Sequence, residues 1–211
     1  MILYTADLHL FDEAMPYYEQ LNNPDGPHWN SAYERDAAIV ERWNGKVADD
    51  DDVYIVGDVS LAPRDATIDV LSQMHGKKHI ILGNHDGGWF RSVARRGISE
   101  AGIVECIDGI CRIRDDGKDV VMCHYPIIAW EKQHRGSYLI YGHLHATKED
   151  TAFQHAGKAF VRNCHMTEFR AMNCGTMVCD YEPKTLNELC MSYNVGGMWS
   201  DAIDPSEMEL D

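Results

Sequence analysis

Five short apolar stretches of this chain each run into a turn that carries Asp, Asn or His. The turns are Asp7-Leu8-His9, Gly57-Asp58, Gly83-Asn84-His85-Asp86, His124 and Gly142-His143-Leu144-His145. Carboxylate oxygens, an amide oxygen and imidazole nitrogens are the donors that borderline-hard divalent cations accept. Seven side chains of that kind (Asp7, His9, Asp58, Asn84, His124, His143, His145) suffice for two ions such as Mn²⁺, Fe²⁺ or Zn²⁺. Asp58 can bridge both ions through its two oxygens, and Asn84 offers a neutral carbonyl oxygen that leaves their Lewis acidity intact. Glycine before Asp58, Asn84 and His143 lets the backbone turn sharply or approach a ligand. Singly, each residue has an ordinary explanation: Asp and Asn form turns, and His124 or His143 could be hydrogen-bonded in a core. The repetition of one grammar points to a site.

The elements that must position these turns follow from periodicity. Residues 2–6, 53–56 and 79–82 are apolar runs of strand length. Between them, Ser31 and Glu34 form a capping-box pattern ahead of Ala37, Ile39, Val40, Trp43 and Val47 at helical spacing, and residues 66–74 also read as helix. Strand, helix and strand in alternation predict an α/β sheet with right-handed crossovers, whose ligands bind outside the carboxyl ends of the strands. In the second half, residues 110–114 and 119–122 flank Asp115-Asp116-Gly117-Lys118 as a hairpin, and residues 138–141 form another strand. Residues 172–180 read as a hairpin closing the sheet, and 185–191 as a last helix. Pro16, Asn22, Asn23, Pro24, Gly26 and Pro27 mark a surface loop, and residues 146–170 show a weak helical stretch with a connection.

A chain of 211 residues predicts a single domain over 1–211. Its net charge of -15 repels a long polyanion, although bound cations can invert the field at a site, so a small partner is expected rather than long nucleic acid. Asp49 to Asp52 and the acidic tail 201–211 read as solvated surface. Seven cysteines without a C-x-x-C pair predict neither a disulfide framework nor a cysteine zinc site. No signal peptide or membrane span is visible, which predicts a cytoplasmic protein with no membrane partner. The sequence is silent on oligomeric state.

The order D-x-H, G-D, G-N-H-D, H, G-H-x-H over residues 5–145 resembles the calcineurin-like metallophosphoesterase superfamily. Asn173-Cys174-Gly175-Thr176, with Asp180-Tyr181-Glu182-Pro183 and Leu186, is similar to the C-terminal pattern of its small bacterial and phage members. The resemblance implies an α/β fold with a central β-sandwich of two mixed sheets flanked by helices in four α/β/β/α layers. It implies that Asp7, His9, Asp58 and His145 hold one ion, and Asp58, Asn84, His124 and His143 the other. His85 then faces the substrate, with Asp86 orienting it.

The implied activity is a phosphoesterase in which two ions ~3.5–4 Å apart lower the pKa of a bridging water toward ~7. The resulting hydroxide attacks phosphorus, and His85 stabilises the phosphoryl group and protonates the leaving oxygen. The substrate is a small phosphate ester, preferably nucleotide-like, with diester and monoester both open. The alternative is a scaffold or binding protein that keeps the fold without catalysis.

Phe11-Asp12-Glu13-Ala14 departs from relatives that carry glycine and another polar residue here. Arg162, Asn163, His165 and Arg170 are either phosphate contacts or solvated surface, and Trp89, Trp130 and Trp199 either line a pocket or pack at the core. Cys123 reads as a buried thiol rather than a nucleophile. His28, His75, His79, His134, His155 and His165 lack the strand-turn context and are read as structural or surface residues.

Overall fold

The computed structural model describes residues 1–96 and 101–195; Trp199 and the acidic tail lie outside them. The first half alternates β1 (Ile2–Thr5), α1 (Met15–Asn22), α2 (Ala32–Lys46), β2 (Asp52–Val56), α3 (Arg64–Leu71), β3 (Lys77–Ile81), α4 (Gly88–Arg96) and β4 (Ile103–Ile107). The second half holds β5 (Ile110–Asp115), β6 (Lys118–Cys123), β7 (Tyr138–Tyr141), α5 (Lys148–Asn163), β8 (Ala171–Asn173) and α6 (Leu186–Tyr193). The strands form two four-stranded sheets, ordered β1-β2-β3-β4 and β5-β6-β7-β8.

The apolar runs of β1 to β3 are covered on both faces, as parallel strands require. Leu3, Val53, Ile55 and Ile80 pack against Ile39 and Trp43 of α2, Leu71 of α3 and Phe90 of α4. With the two-residue period of a strand, the alternate residues Tyr4, Tyr54, Val56 and Ile81 meet Val120, Met122, Ile140 and Met172 of the other sheet. The far face of that second sheet, with Val121, Leu139, Tyr141 and Ala171, packs on Val161 of α5 and on Phe169.

Several expectations are corrected. The first sheet is wholly parallel; only the second is mixed, because β5 and β6 form the expected antiparallel hairpin while β6, β7 and β8 run parallel. Residues 172–180 do not form a hairpin: β8 pairs with β7, and the chain then turns through left-handed residues Asp180 and Tyr181. The segment read as a loop contains α1, whose proline stands in the first turn, where its missing N–H costs nothing. Most of 146–170 is the continuous helix α5, and α4 and β4 are additional elements between β3 and β5. Ser31 caps α2 by accepting from Glu34 N–H, but the Glu34 carboxylate turns to Asn30, so the reciprocal box is missing. Trp89 stacks on Phe90 and Trp130 packs edge-on against Phe169, at the margins of the core. All seven cysteines are free, and Cys123 is buried with its thiol pushed up by burial.

Candidate metal centre

The turns after the strands share an unusual backbone. Asp7, His9, Asp58, His143 and His145 have φ of 57, 43, 55, 70 and 49°, in the left-handed region that non-glycine residues seldom occupy. Such conformations cost ~1–3 kcal/mol each and persist where surrounding contacts over-determine them. Here the turns hold one another. His9 N–H donates to Asp58 C=O at 2.9 Å, Asp7 N–H to Gly57 C=O at 3.0 Å and Gly142 N–H to His124 C=O at 3.1 Å. Because β1, β2 and β3 run parallel, as do β6 and β7, the carboxyl ends of these strands deliver their side chains to one place.

Two groups result. Ligand atoms of Asp7, His9 and His145 lie within 4.8 Å of one another, as do those of Asp58, His124 and His143. Asp58 Oδ2 stands between the groups, 3.5 Å from His9 Nε2 and 3.3 Å from His124 Nε2. Asn84 Oδ1 lies 3.0 Å from His124 Nε2, which brings the amide to the second group. Two candidate clusters of Asp and His that can accept metal ions are therefore present, and all seven expected donors border them. The donor chemistry fits divalent ions, and buried polar atoms support the fit: among the described residues His9 Nδ1, His9 Nε2 and His145 Nδ1 find no hydrogen-bond partner.

The surroundings orient these donors. His124 Nδ1 faces Val56 C=O at 2.9 Å; when Nδ1–H donates there, Nε2 keeps its lone pair for a cation. Asp7 accepts His143 N–H at 3.0 Å on both oxygens, and Asp58 Oδ1 accepts His85 N–H at 2.8 Å. A Cβ on Gly83 would lie 2.2 Å from Asp58 Oδ1, and one on Gly57 2.2 Å from His124 Nδ1, so close approach requires glycine at both positions.

Burial and charge set the protonation states of the metal-free centre. Burial pushes the Asp7 carboxyl up to about 7, and pulls His9 down to about 4 and His145 to about 3. At Asp58 burial acts upward, but the hydrogen bond and charge of His124 outweigh it and hold the carboxyl at about 2. His124 is itself lifted: burial acts downward and is outweighed by Asp58 and the Asp7 charge. His143 is lowered by burial and by the nearby His124.

His85 and Asp86 part company. His85 is exposed, its ring centroid 5.2 Å from that of His9. Asp86 is buried, and among the described residues no hydrogen bond joins its carboxylate to the His85 ring. Its oxygens accept the N–H groups of Asp58, Val59 and Gly83 at 3.0, 2.8 and 2.7 Å, fastening the two glycine-containing turns together. The backbone bends at these turns, leaving donors without ladder partners, and a carboxylate satisfies them.

Sequence reasoning assigned no role to several supporting residues. Thr176 Oγ1 donates to Asp7 C=O at 2.9 Å and Asn173 Nδ2 to His145 C=O at 2.9 Å, which places the C-terminal N-C-G-T stretch behind the first group. Tyr18 of α1 meets His145 edge-on at 5.3 Å, and exposed Tyr125 meets His143 at 4.8 Å. The only sequence signal for the first two was the C-terminal pattern itself. Arg170 is engaged with Glu168 and Gly136 C=O, while Arg162, Asn163 and His165 are exposed around the end of α5. His79 lies between Asp52 and Glu105, a structural setting.

No protein-family model matches this chain. It is 29% identical to the Gene 66 protein of Mycobacterium phage L5 over 165 residues, 68% of this chain and 76% of that protein. The Gene 66 protein of Mycobacterium phage D29 is 26% identical over a similar share, 69% and 78%. Among solved structures, a protein of unknown function from Aquifex aeolicus superposes with a TM-score of 0.63 and 20% identity, covering 90% of this chain and 98% of that one. At that identity the likeness concerns the fold alone: an α/β architecture shared along nearly the whole of both chains.

Proposed function

We propose that this protein is a metal-dependent hydrolase of phosphate esters, a single domain over 1–211 in four α/β/β/α layers. Asp7, His9, Asp58 and His145 would hold one divalent ion, and Asp58, Asn84, His124 and His143 a second. One observation carries this reading: a single oxygen, Asp58 Oδ2, lies 3.5 Å from His9 Nε2 and 3.3 Å from His124 Nε2, so one carboxylate serves two histidine-bearing groups. The layer arrangement is supported by the three apolar clusters, which lie between helices and sheet, sheet and sheet, and sheet and α5.

When bound, Mn²⁺, Fe²⁺ or Zn²⁺ ions supply Lewis acidity toward a phosphoryl oxygen and lower the pKa of water. The chain's own residues do the rest. His85, exposed beside His9, hydrogen-bonds a phosphoryl oxygen and delivers a proton to the leaving oxygen. Its backbone N–H on Asp58 Oδ1 ties its position to the bridging carboxylate. Asp86 keeps the turns that present Asp58 and Asn84 in register. The net charge of -15 favours a small phosphate ester, nucleotide-like, over a long polyanion. A cytoplasmic location completes the reading; among the described residues no helix is long and apolar enough to cross a membrane.

The test is hydrolysis of bis(p-nitrophenyl) phosphate and p-nitrophenyl phosphate by metal-depleted protein reconstituted with Mn²⁺. Wild type should cleave at least one ester and Asp58→Asn neither. His85→Ala should retain both ions and lose on the order of 10²–10⁴-fold in turnover, the usual worth of a positioned proton donor. Two bound ions with neither ester cleaved would overturn the phosphoesterase reading.

A further inference from the structure

Arg35 of α2 is a fully buried cation placed behind the turn that carries Asp7 and His9. Its Nη1 donates to Leu8 C=O at 2.6 Å, the carbonyl between those two residues, and to Asp36 Oδ1 at 3.3 Å. Asp36 Oδ2 accepts Phe11 N–H at 2.7 Å, so adjacent residues of one helix grip the turn near both its ends. The grip is itself braced from α1 and the C-terminal turn. Arg35 Nε donates to Glu19 Oε1 at 2.7 Å, and Tyr181 Oη to Glu19 Oε2 at 3.0 Å.

The turn needs such a grip. Asp7, His9 and Phe11 have φ of 57, 43 and 65°, three left-handed non-glycine residues within five positions. Asp and His enter the left-handed region more readily than most residues, but Phe11 has no such help and stands where a glycine would be at ease. A buried ion pair is also a poor device for stability alone, because desolvation consumes most of its Coulombic gain. Holding a backbone carbonyl and amide at fixed places is something an apolar replacement of equal volume cannot do.

We infer that Arg35, held by Glu19 and Asp36, is a positioning residue for the first ion, selectively shaping the site of Asp7, His9 and His145. The inference rests on the two-ion reading above. The hydrogen bonds of this network end on Leu8 and Phe11, and the second site meets that turn only at one remove, through His9 N–H on Asp58 C=O and His143 N–H on Asp7, so the first site should lose more affinity than the second.

The experiment is calorimetric titration of the metal-depleted full chain with Mn²⁺, the two binding steps assigned by His9→Ala and His124→Ala. Arg35→Lys keeps the charge and loses the planar fork; Asp36→Asn weakens the hold on Phe11; Tyr181→Phe removes the hydroxyl that holds Glu19 Oε2. Arg35→Lys and Asp36→Asn should lower affinity at the first site about 10–100-fold, as outer-shell changes do, and at the second by no more than about a third of that factor. Tyr181→Phe should show the same selectivity with a smaller loss. A purely architectural role would weaken both sites together, in step with the melting temperature, and would overturn the inference, as would unchanged affinity at the first site. If Arg35→Lys does not fold, the ratio of the two affinities in Asp36→Asn and Tyr181→Phe decides. Wild type that takes up no Mn²⁺ overturns the two-ion reading itself, whereas wild type and variants with the same two affinities overturn only the role of Arg35.

Discussion

Gly83→Ala should damage the centre through a single methyl group. The Cβ would lie 2.2 Å from Asp58 Oδ1, 2.6 Å from Asp58 N and 2.9 Å from Asp58 Cγ. The φ of Gly83 is not left-handed, so alanine fits the backbone and the penalty is steric alone. Asp58 cannot retreat freely. Its N–H is held by Asp86 at 3.0 Å, its Oδ1 accepts from His85 at 2.8 Å, and ordinary contact with a carbon needs ~3.5 Å, so a shift of more than ~1 Å is demanded. Overpacking of this kind costs ~1–3 kcal/mol, and a chain of this size loses ~2–4 °C of melting temperature per kcal/mol, giving a fall of roughly 2–12 °C. Displacing the shared carboxylate should lower Mn²⁺ affinity by about 10-fold or more, the equivalent of ~1.4 kcal/mol. Thermal melts and Mn²⁺ calorimetry measure both effects. The matched control is Gly45→Ala, near the exposed end of α2 with nothing within 4 Å of the added Cβ, where helix propensity should stabilise by ~0.5–1 kcal/mol. Equal shifts in the two variants, or a Gly83→Ala protein with wild-type melting and Mn²⁺ affinity, would refute the steric argument.

Asp86→Asn presents an amide nitrogen to one or more of the Asp58, Val59 and Gly83 N–H groups, and each stranded donor costs ~1–3 kcal/mol. Melting temperature and Mn²⁺ affinity should fall together, and an unchanged pair of values would show that the carboxylate does not hold the turns. In the metal-free protein Asp7 titrates at about 7 against its ordinary 3.8, so the folded state binds the extra proton and loses stability as pH rises between those values. Asp7→Asn should therefore melt above wild type in EDTA at pH 8, with the gap closing toward pH 4, and below wild type in saturating Mn²⁺; a pH-independent gap in EDTA would contradict the burial argument. Thr185→Ala removes the reciprocal capping box of α6 and should cost ~0.5–2 kcal/mol in thermal melts without changing Mn²⁺ affinity, and a change in that affinity would count against the independence of α6 from the centre.

The metal-compatible donors were legible because each is a local feature: an apolar run of strand period followed at once by a polar turn. Parallel pairing then brings those turns to one end of the sheets, so Asp7, His9, Asp58, Asn84, His124, His143 and His145 meet although they span most of the chain. Helix α1 was less legible, since Pro16 and the Asn-Pro punctuation after it read as loop, and only the burial of Met15 and Glu19 against the rest of the molecule makes it a helix. Tertiary structure alone decided what backs the centre. Asp86 could be placed beside His85 by adjacency, yet the donors lacking partners were those of Asp58, Val59 and Gly83, and nothing local in the sequence records which N–H a bent turn leaves open. Arg35 reaches Leu8 across 27 positions and Thr176 reaches Asp7 across 169. Periodicity and propensity are properties of neighbouring residues, whereas satisfying a buried polar group depends on whatever the finished packing brings within hydrogen-bond reach.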